Sequence, residues 1–144
     1  MLCVPHGFTW GLALDLCCGC DIRICSADAH FSVKEVDLAV IADLGTLQLL
    51  PKIVANLGWV KEVCFSARGF GADEALQVGF VSKVEKTKAD AFAQALDMAQ
   101  TIASKSPVAV QGTKAILDYS SDHSLQDGTQ NSILPIHCER ILTD

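Results

Sequence analysis

The sequence has no basic block. Its 144 residues carry 11 Lys and Arg against 17 Asp and Glu, a formal net charge of −6. Without clustered cations a chain cannot neutralise a phosphate backbone, which argues against nucleic acid and anionic membrane surfaces as partners. The acidic excess is spread out and reads as solubility. No apolar run reaches the ~20 residues of a membrane-spanning helix. The start, Met1-Leu2-Cys3-Val4-Pro5-His6, has no charged leader and no cleavage pattern, and Leu142-Thr143-Asp144 is not a peroxisomal tail signal, so no targeting address is visible. The seven cysteines lack the paired C-x-x-C knuckles of a zinc site. Cys17, Cys18 and Cys20 point in different directions on one helix, so no metal is expected, and the thiols read as reduced, buried and structural. A thiol-rich binding module is the weakest of the readings the residues leave. His6, His123 and His137 have no partner at helical spacing, so no Ser/His/Asp arrangement can be built from them. His30 reads as a half-buried packing residue.

What is present is a long apolar stretch with acids set into it. Half of the chain is apolar, and a chain of this length suits one domain that buries roughly two-thirds of its unfolded surface. Asp15 lies within Leu12-Ala13-Leu14-Asp15-Leu16-Cys17. Asp43 closes Leu38-Ala39-Val40-Ile41-Ala42. Glu35 follows His30-Phe31-Ser32-Val33-Lys34. An acid among apolar neighbours is costly to bury ionised, so its pKa should rise unless it is paired. Such acids are candidates for proton transfer near neutral pH. A lone Asp in such a run is equally a helix cap or an ion-pair partner.

The periodicities give an alternation of helices and short strands. His6 to Gly11 reads as a loop, and Gly11 opens a helix to about Cys20. Asp21 to Cys25 and His30 to Lys34 read as strands, with Glu35 at the second strand's end. Thr46 to Asn56 suits one or two short helices, with Pro51 near a helix start. Val60 to Ala67 is another helix, broken by Arg68-Gly69-Phe70-Gly71. Asp73 opens a helix over Glu74 to Val78, Gly79 ends it, and Phe80 to Val84 reads as a strand. Lys88 to Ser104 repeats its apolar residues at three and four, with Thr87 as N-cap. Ser106-Pro107 starts a helix to about Tyr119. The expected division is a domain over 1–123 and an irregular tail over 124–144.

Several of these segments together resemble one family. Asp15-Leu16, Cys20-Asp21-Ile22-Arg23, Val33-Lys34-Glu35-Val36-Asp37 and Ala42-Asp43-Leu44-Gly45-Thr46-Leu47-Gln48 are similar to the enoyl-CoA hydratase/isomerase (crotonase) superfamily. So are Leu50-Pro51-Lys52, Ala72 to Leu76, Gly79 to Val84 and Lys105 to Gln111. The Asp15, Glu35, Asp43 trio resembles the dienoyl-CoA isomerase branch. The resemblance fades after about His123. It implies an α/β crotonase-like (ClpP/crotonase) fold that is incomplete here, lacking the N-terminal half and the usual C-terminal helices.

The resemblance also implies a chemistry. Glu35 would be the base that takes a proton from C2 of a 3,5-dienoyl-CoA, and Asp43 the acid that supplies one at C6. Asp15 would set the pocket's polarity and couple to the other acids by like charge. Gly11 and Leu12 would form the substrate-binding turn, where the backbone N–H at the middle of the family's three glycines, a run that reads Gly11, Leu12, Ala13 here, helps hold the thioester oxygen; the family's other donor lies in the missing N-terminal half. The coenzyme A thioester is the substrate, and no cofactor is implied. The family implies a homo-oligomer and a mitochondrial or peroxisomal place in fatty acid beta-oxidation. The alternative is a truncated, non-catalytic relative that packs with full-length subunits.

Overall fold

Three phenylalanines and a tryptophan from distant parts of the chain meet at the centre of the fold. Phe31 stacks on Phe70 with ring centroids 5.3 Å apart. Phe80 meets Phe31 edge-on at 5.4 Å, and Trp59 meets Phe70 edge-on at 4.9 Å. Offset and edge-to-face arrangements suit the ring quadrupoles, and these rings dominate the buried apolar area. Leu14, Leu50, Val63 and Ala75 are fully buried around them. This is a computed structural model, and it describes residues 1–133. Two compact units are present, Met1–Asp97 and the chain from Met98 onward.

In the first unit the strands are β1 (Leu2–Cys3), β2 (Phe8–Trp10), β3 (Ile22–Ser26), β4 (His30–Ser32), β5 (Phe70–Gly71) and β6 (Lys83–Glu85). The helices are α1 (Leu12–Cys18), α2 (Thr46–Ile53), α3 (Leu57–Ser66), α4 (Ala72–Gln77) and the greater part of α5 (Lys88–Ala103). Among the described residues the strands form two sheets, ordered β1-β3-β6 and β2-β4-β5. β3 runs parallel to both of its neighbours, and β2 runs parallel to β4 with Thr9 opposite Phe31. β4 and β5 are antiparallel, with Phe31 opposite Phe70. A smaller core of Ile24, Ala91 and Ala95 packs α5 against β3. Arg23 secures the middle of the first sheet, its side chain donating to the carbonyls of Phe80 at 2.6 Å, Cys17 at 3.1 Å and Cys20.

Several expectations are corrected. The segment after His6 is not all loop, because Phe8–Trp10 pairs with β4 and buries Thr9 between two exposed aromatics. Pro51 lies near the end of α2 rather than its start, where the missing N–H costs a single bond. The strand expected from Phe80 begins only at Lys83, because the N–H groups of Phe80 and Val81 both return to the Ala75 carbonyl at the end of α4. α4 begins at Ala72 after Gly71, without an Asp73 cap. His30 is exposed, with Nδ1 accepting from Trp10 Nε1 at 3.4 Å. The helix starts at Asn56, Thr87 and Ser106 are capped by those side chains.

The second unit carries α6 (Pro107–Ser120) and α7 (Leu125–Ile133). The tail expected to be irregular from residue 124 is helical over Leu125–Ile133. The signal lay in Ser124-x-x-Asp127: Ser124 Oγ accepts the Asp127 N–H at 3.2 Å, a side-chain cap, and donates to the Asp127 carboxylate at 2.6 Å. The rest of the expected tail, 134–144, lies outside the described residues. Among those described, no helix is long and apolar enough to cross a membrane.

Candidate functional site

The site is built where β4 ends beside the start of α1. β4 buries Phe31 and Ser32, and Val33 continues into the core. Lys34 then turns the chain into a 3-10 turn over Glu35–Leu38. The turn is closed by Asp37 N–H on the Lys34 carbonyl and Val40 N–H on the Glu35 carbonyl, both at 3.1 Å, and ended by Ala39 in the left-handed region. Glu35 is therefore the first residue of a fixed turn, a local element the strand pattern did not reveal.

Its carboxyl group is half-buried. Oε2 is fully buried and has no hydrogen-bond partner among the described residues, while Oε1 would lie 3.3 Å from a β-carbon placed on Gly11. Gly11 has φ 54° and ψ −124°. Its N–H donates to the Ser32 carbonyl at 3.1 Å, and its carbonyl accepts from Leu14 and Asp15 at 2.7 and 3.2 Å. Gly11, expected to open the helix beside the thioester, meets two demands, a left-handed backbone and close approach of a carboxylate. The N–H groups of Leu12 and Ala13 open α1 and have no acceptor within the helix. Leu12 exposes 58% of its surface.

The lysine next to Glu35 in the chain is engaged elsewhere. Lys34 Nζ bonds Asp37 at 2.8 Å and the Ala67 carbonyl at 3.3 Å, and it sits 5.4 Å from the centre of the Trp10 ring. Ser32 Oγ donates to the same Ala67 carbonyl at 2.7 Å. Neither Lys34 nor Ser32 was singled out by sequence; only their place beside Glu35 in the chain pointed to them.

Asp15 is buried, as its apolar neighbours suggest, and it is partnered. Its Oδ1 accepts the Thr46 N–H at 2.9 Å. Thr46 is the first residue of α2, and the preceding Gly45 has no side chain with which to cap. Asp15 supplies the acceptor from another element, which realises the capping alternative. Asp43 is exposed. The burial expected from its apolar flanks does not occur: Ala42 beside it is buried, but Val40, Ile41 and Leu44 are exposed. Its backbone lies within about 10 Å of Thr46, the reach of three residues. Among the described residues, no hydrogen bond or ion pair joins Asp43 to Glu35 or Asp15. The structure thus brings together Glu35 and the Gly11–Leu12 backbone, and places Asp15 at the foot of α2.

The thiols form the lining of the core. Cys17, Cys18, Cys20, Cys25 and Cys64 are buried and free. Burial first of all pushes the Cys18 thiol up to about 12 and those of Cys20 and Cys25 up to about 11. Cys3 is raised chiefly by its hydrogen bond with Cys17, and Cys64 by burial and then by the charge of Glu35. Thiols held protonated in this way are poor nucleophiles and poor metal ligands. Among the described residues no group of three His, Cys, Asp or Glu side chains is placed to hold a metal ion.

Comparison with known proteins adds a lineage to this geometry. The family model described as enoyl-CoA hydratase/isomerase matches residues 5–133, ten residues beyond the point where the resemblance was expected to fade. The mitochondrial Delta(3,5)-Delta(2,4)-dienoyl-CoA isomerase of Mus musculus is 51% identical over 122 residues, which are 85% of this chain and 37% of that protein. The peroxisomal enzyme of that name from Arabidopsis thaliana is 48% identical over 123 residues, 85% of this chain and 44% of that protein. The chain therefore spans less than half the length of these relatives. Among solved structures, an enoyl-CoA hydratase/isomerase from Cupriavidus metallidurans CH34 superposes with a TM-score of 0.83 at 32% identity, covering 90% of this chain and 48% of that one. A Thermobifida fusca YX protein solved in complex with acetoacetyl-CoA gives 0.84 at 26% identity, covering 90% and 50%.

Proposed function

Because this chain belongs to the enoyl-CoA hydratase/isomerase family, we propose that it isomerises 3,5-dienoyl-CoA to 2,4-dienoyl-CoA, with Glu35 as the base. The observation that carries this reading is the buried, unpartnered Oε2 of Glu35, with the opposite oxygen over Gly11. A carboxylate neutralised by a nearby lysine makes a weak base; this one is left free by Lys34.

Glu35 takes a proton from C2. The electron pair moves into the thioester, giving an extended dienolate with its negative charge on the thioester oxygen. The Leu12 N–H, which has no acceptor within α1, is the backbone donor this chain offers to that oxygen. Asp43 returns a proton at C6, and the two double bonds settle in conjugation with the thioester. Two acids serve because C2 and C6 are too far apart for one carboxyl group. Asp15 holds the start of α2, and with it the segment that carries Asp43. The chemistry calls on no cofactor beyond the coenzyme A of the substrate. The solved relative that holds acetoacetyl-CoA supports a thioester of this class. The names of the relatives support a role in mitochondrial or peroxisomal fatty acid oxidation, and membership supports self-assembly, which sedimentation of the purified chain reads.

Conjugation changes the ultraviolet absorbance of the acyl-CoA, so the purified chain is incubated with a 3,5-dienoyl-CoA and followed directly. Glu35→Gln and Asp43→Asn are each expected to slow turnover ~100-fold or more, the usual worth of a positioned acid or base. No turnover by a chain that melts cooperatively overturns the proposal.

A further inference from the structure

We propose that Lys34 is a positioning residue for this site: it fastens the turn that carries Glu35 to the carbonyl of Ala67 and so holds the carboxylate over Gly11. The inference rests on the reading of Glu35 as the base. Lys34 immediately precedes Glu35 and meets three separate anchors. One is Asp37, inside the turn itself, at 2.8 Å. The second is the Ala67 carbonyl at 3.3 Å, presented by the left-handed residue (φ 50°) that ends α3. The third is the face of Trp10 on β2. Ser32 and Lys34 both donate to that single carbonyl, Ser32 through Oγ at 2.7 Å. Ser32 in turn accepts the Gly11 N–H through its carbonyl. The Ala67 carbonyl is thus the common point to which both the turn bearing Glu35 and the strand bonded to Gly11 are tied.

That point is itself held. The next residue, Arg68, bonds Glu62 at 2.6 Å and grips both carboxylate oxygens of Glu74 at 2.7 and 3.2 Å. Lys34 is partly exposed, so its pairing with Asp37 adds little stability. Its effect is on geometry, where a misplacement of about 1 Å costs roughly 100-fold in rate. A lysine suits the task because three donors on a flexible stem reach separate acceptors at once. With its charge taken up by Asp37 and the Trp10 ring, the ammonium steadies the base without neutralising it.

The test pairs amide hydrogen exchange with kinetics on the full chain. The Val40 N–H reports the turn, since it bonds the Glu35 carbonyl, and the Phe80 N–H, bonded to Ala75, is the distant reference. In Lys34→Met, exchange at Val40 is expected to quicken ~10-fold with Phe80 unchanged, and kcat to fall ~30-fold or more with KM nearly unaltered. Lys34→Arg is expected to restore both. Unchanged exchange at Val40 in Lys34→Met overturns the inference, as does a kcat loss that Lys34→Arg leaves in place. If the wild-type chain turns over no dienoyl-CoA, the isomerase reading falls, and exchange at Val40 still decides whether Lys34 holds the turn.

Discussion

The carboxylate of Glu35 and the backbone of Gly11 are in contact across 24 residues of chain: a β-carbon on Gly11 would stand 3.3 Å from Oε1. Gly7 has nearly the same φ, 55°, with nothing within 4 Å of its absent β-carbon. Gly7→Ala is therefore expected to cost about 1 to 2 kcal/mol, the strain of a left-handed residue alone. Gly11→Ala is expected to cost more and to displace Glu35, with loss of turnover. Urea unfolding of the two variants gives the difference directly, and equal costs would show that the carboxylate yields freely.

Asp15 separates structure from chemistry. Removing its acceptor leaves a buried N–H on Thr46, which costs about 1 to 3 kcal/mol. Asp15→Ala is expected to lose that amount in chemical denaturation, and Asp15→Asn, which keeps an acceptor oxygen, to lose less. If the two variants unfold alike, the Thr46 bond is not what Asp15 contributes.

The buried thiols set an alkaline limit. Their folded values, about 12 for Cys18 and about 11 for Cys20 and Cys25, exceed the ordinary 9.0. Between these limits the folded chain binds more protons than the unfolded chain, so stability falls as pH rises. The contribution is complete below about pH 8.5, where unfolded thiols are protonated, and is lost as pH passes through 11 to 12. Melting temperature measured between pH 8 and 11 is expected to fall, and Cys18→Ala to flatten the slope. An unchanged slope would place the loss elsewhere.

The aromatic centre and the surface differ in cost. Phe70 is buried against Phe31 and Trp59, and Phe70→Ala is expected to cost about 3 to 5 kcal/mol. Phe65, 75% exposed on α3, is expected to change stability by less than about 0.5 kcal/mol as Phe65→Ala. Thermal denaturation of the pair checks the placement of both rings.

Helices with local start signals were legible in the sequence. Thr87 and Ser106 open α5 and α6 through their own side chains, and periodicity carries the rest. β2 was not legible, because Phe8–Trp10 becomes a strand only by pairing with His30–Ser32, a partner that no local pattern supplies. α7 was missed because Gly128 and the polar run around it outweighed the cap at Ser124. At the site, the family resemblance picked out Glu35 and Gly11, but their contact depends on the 3-10 turn after β4. Apolar flanks misled at Asp43, where Val40, Ile41 and Leu44 are exposed and only Ala42 is buried. At Asp15 the same flanks signalled burial correctly, and the partner was a backbone N–H on a later helix.

The parallel pairing of β3 with β6 fixes an order of assembly. Arg23 and Ser82 are bonded across 59 positions of chain, and the cluster around Ile24 is completed by Ala91 and Ala95 on α5. During synthesis at the ribosome, β3 must wait with one edge unpaired until β6 has emerged. Closing a loop of that length before any sheet bond forms is slow. Chaperone contact with the nascent chain is therefore to be sought while Ile24 is out and Ala95 is still in the tunnel.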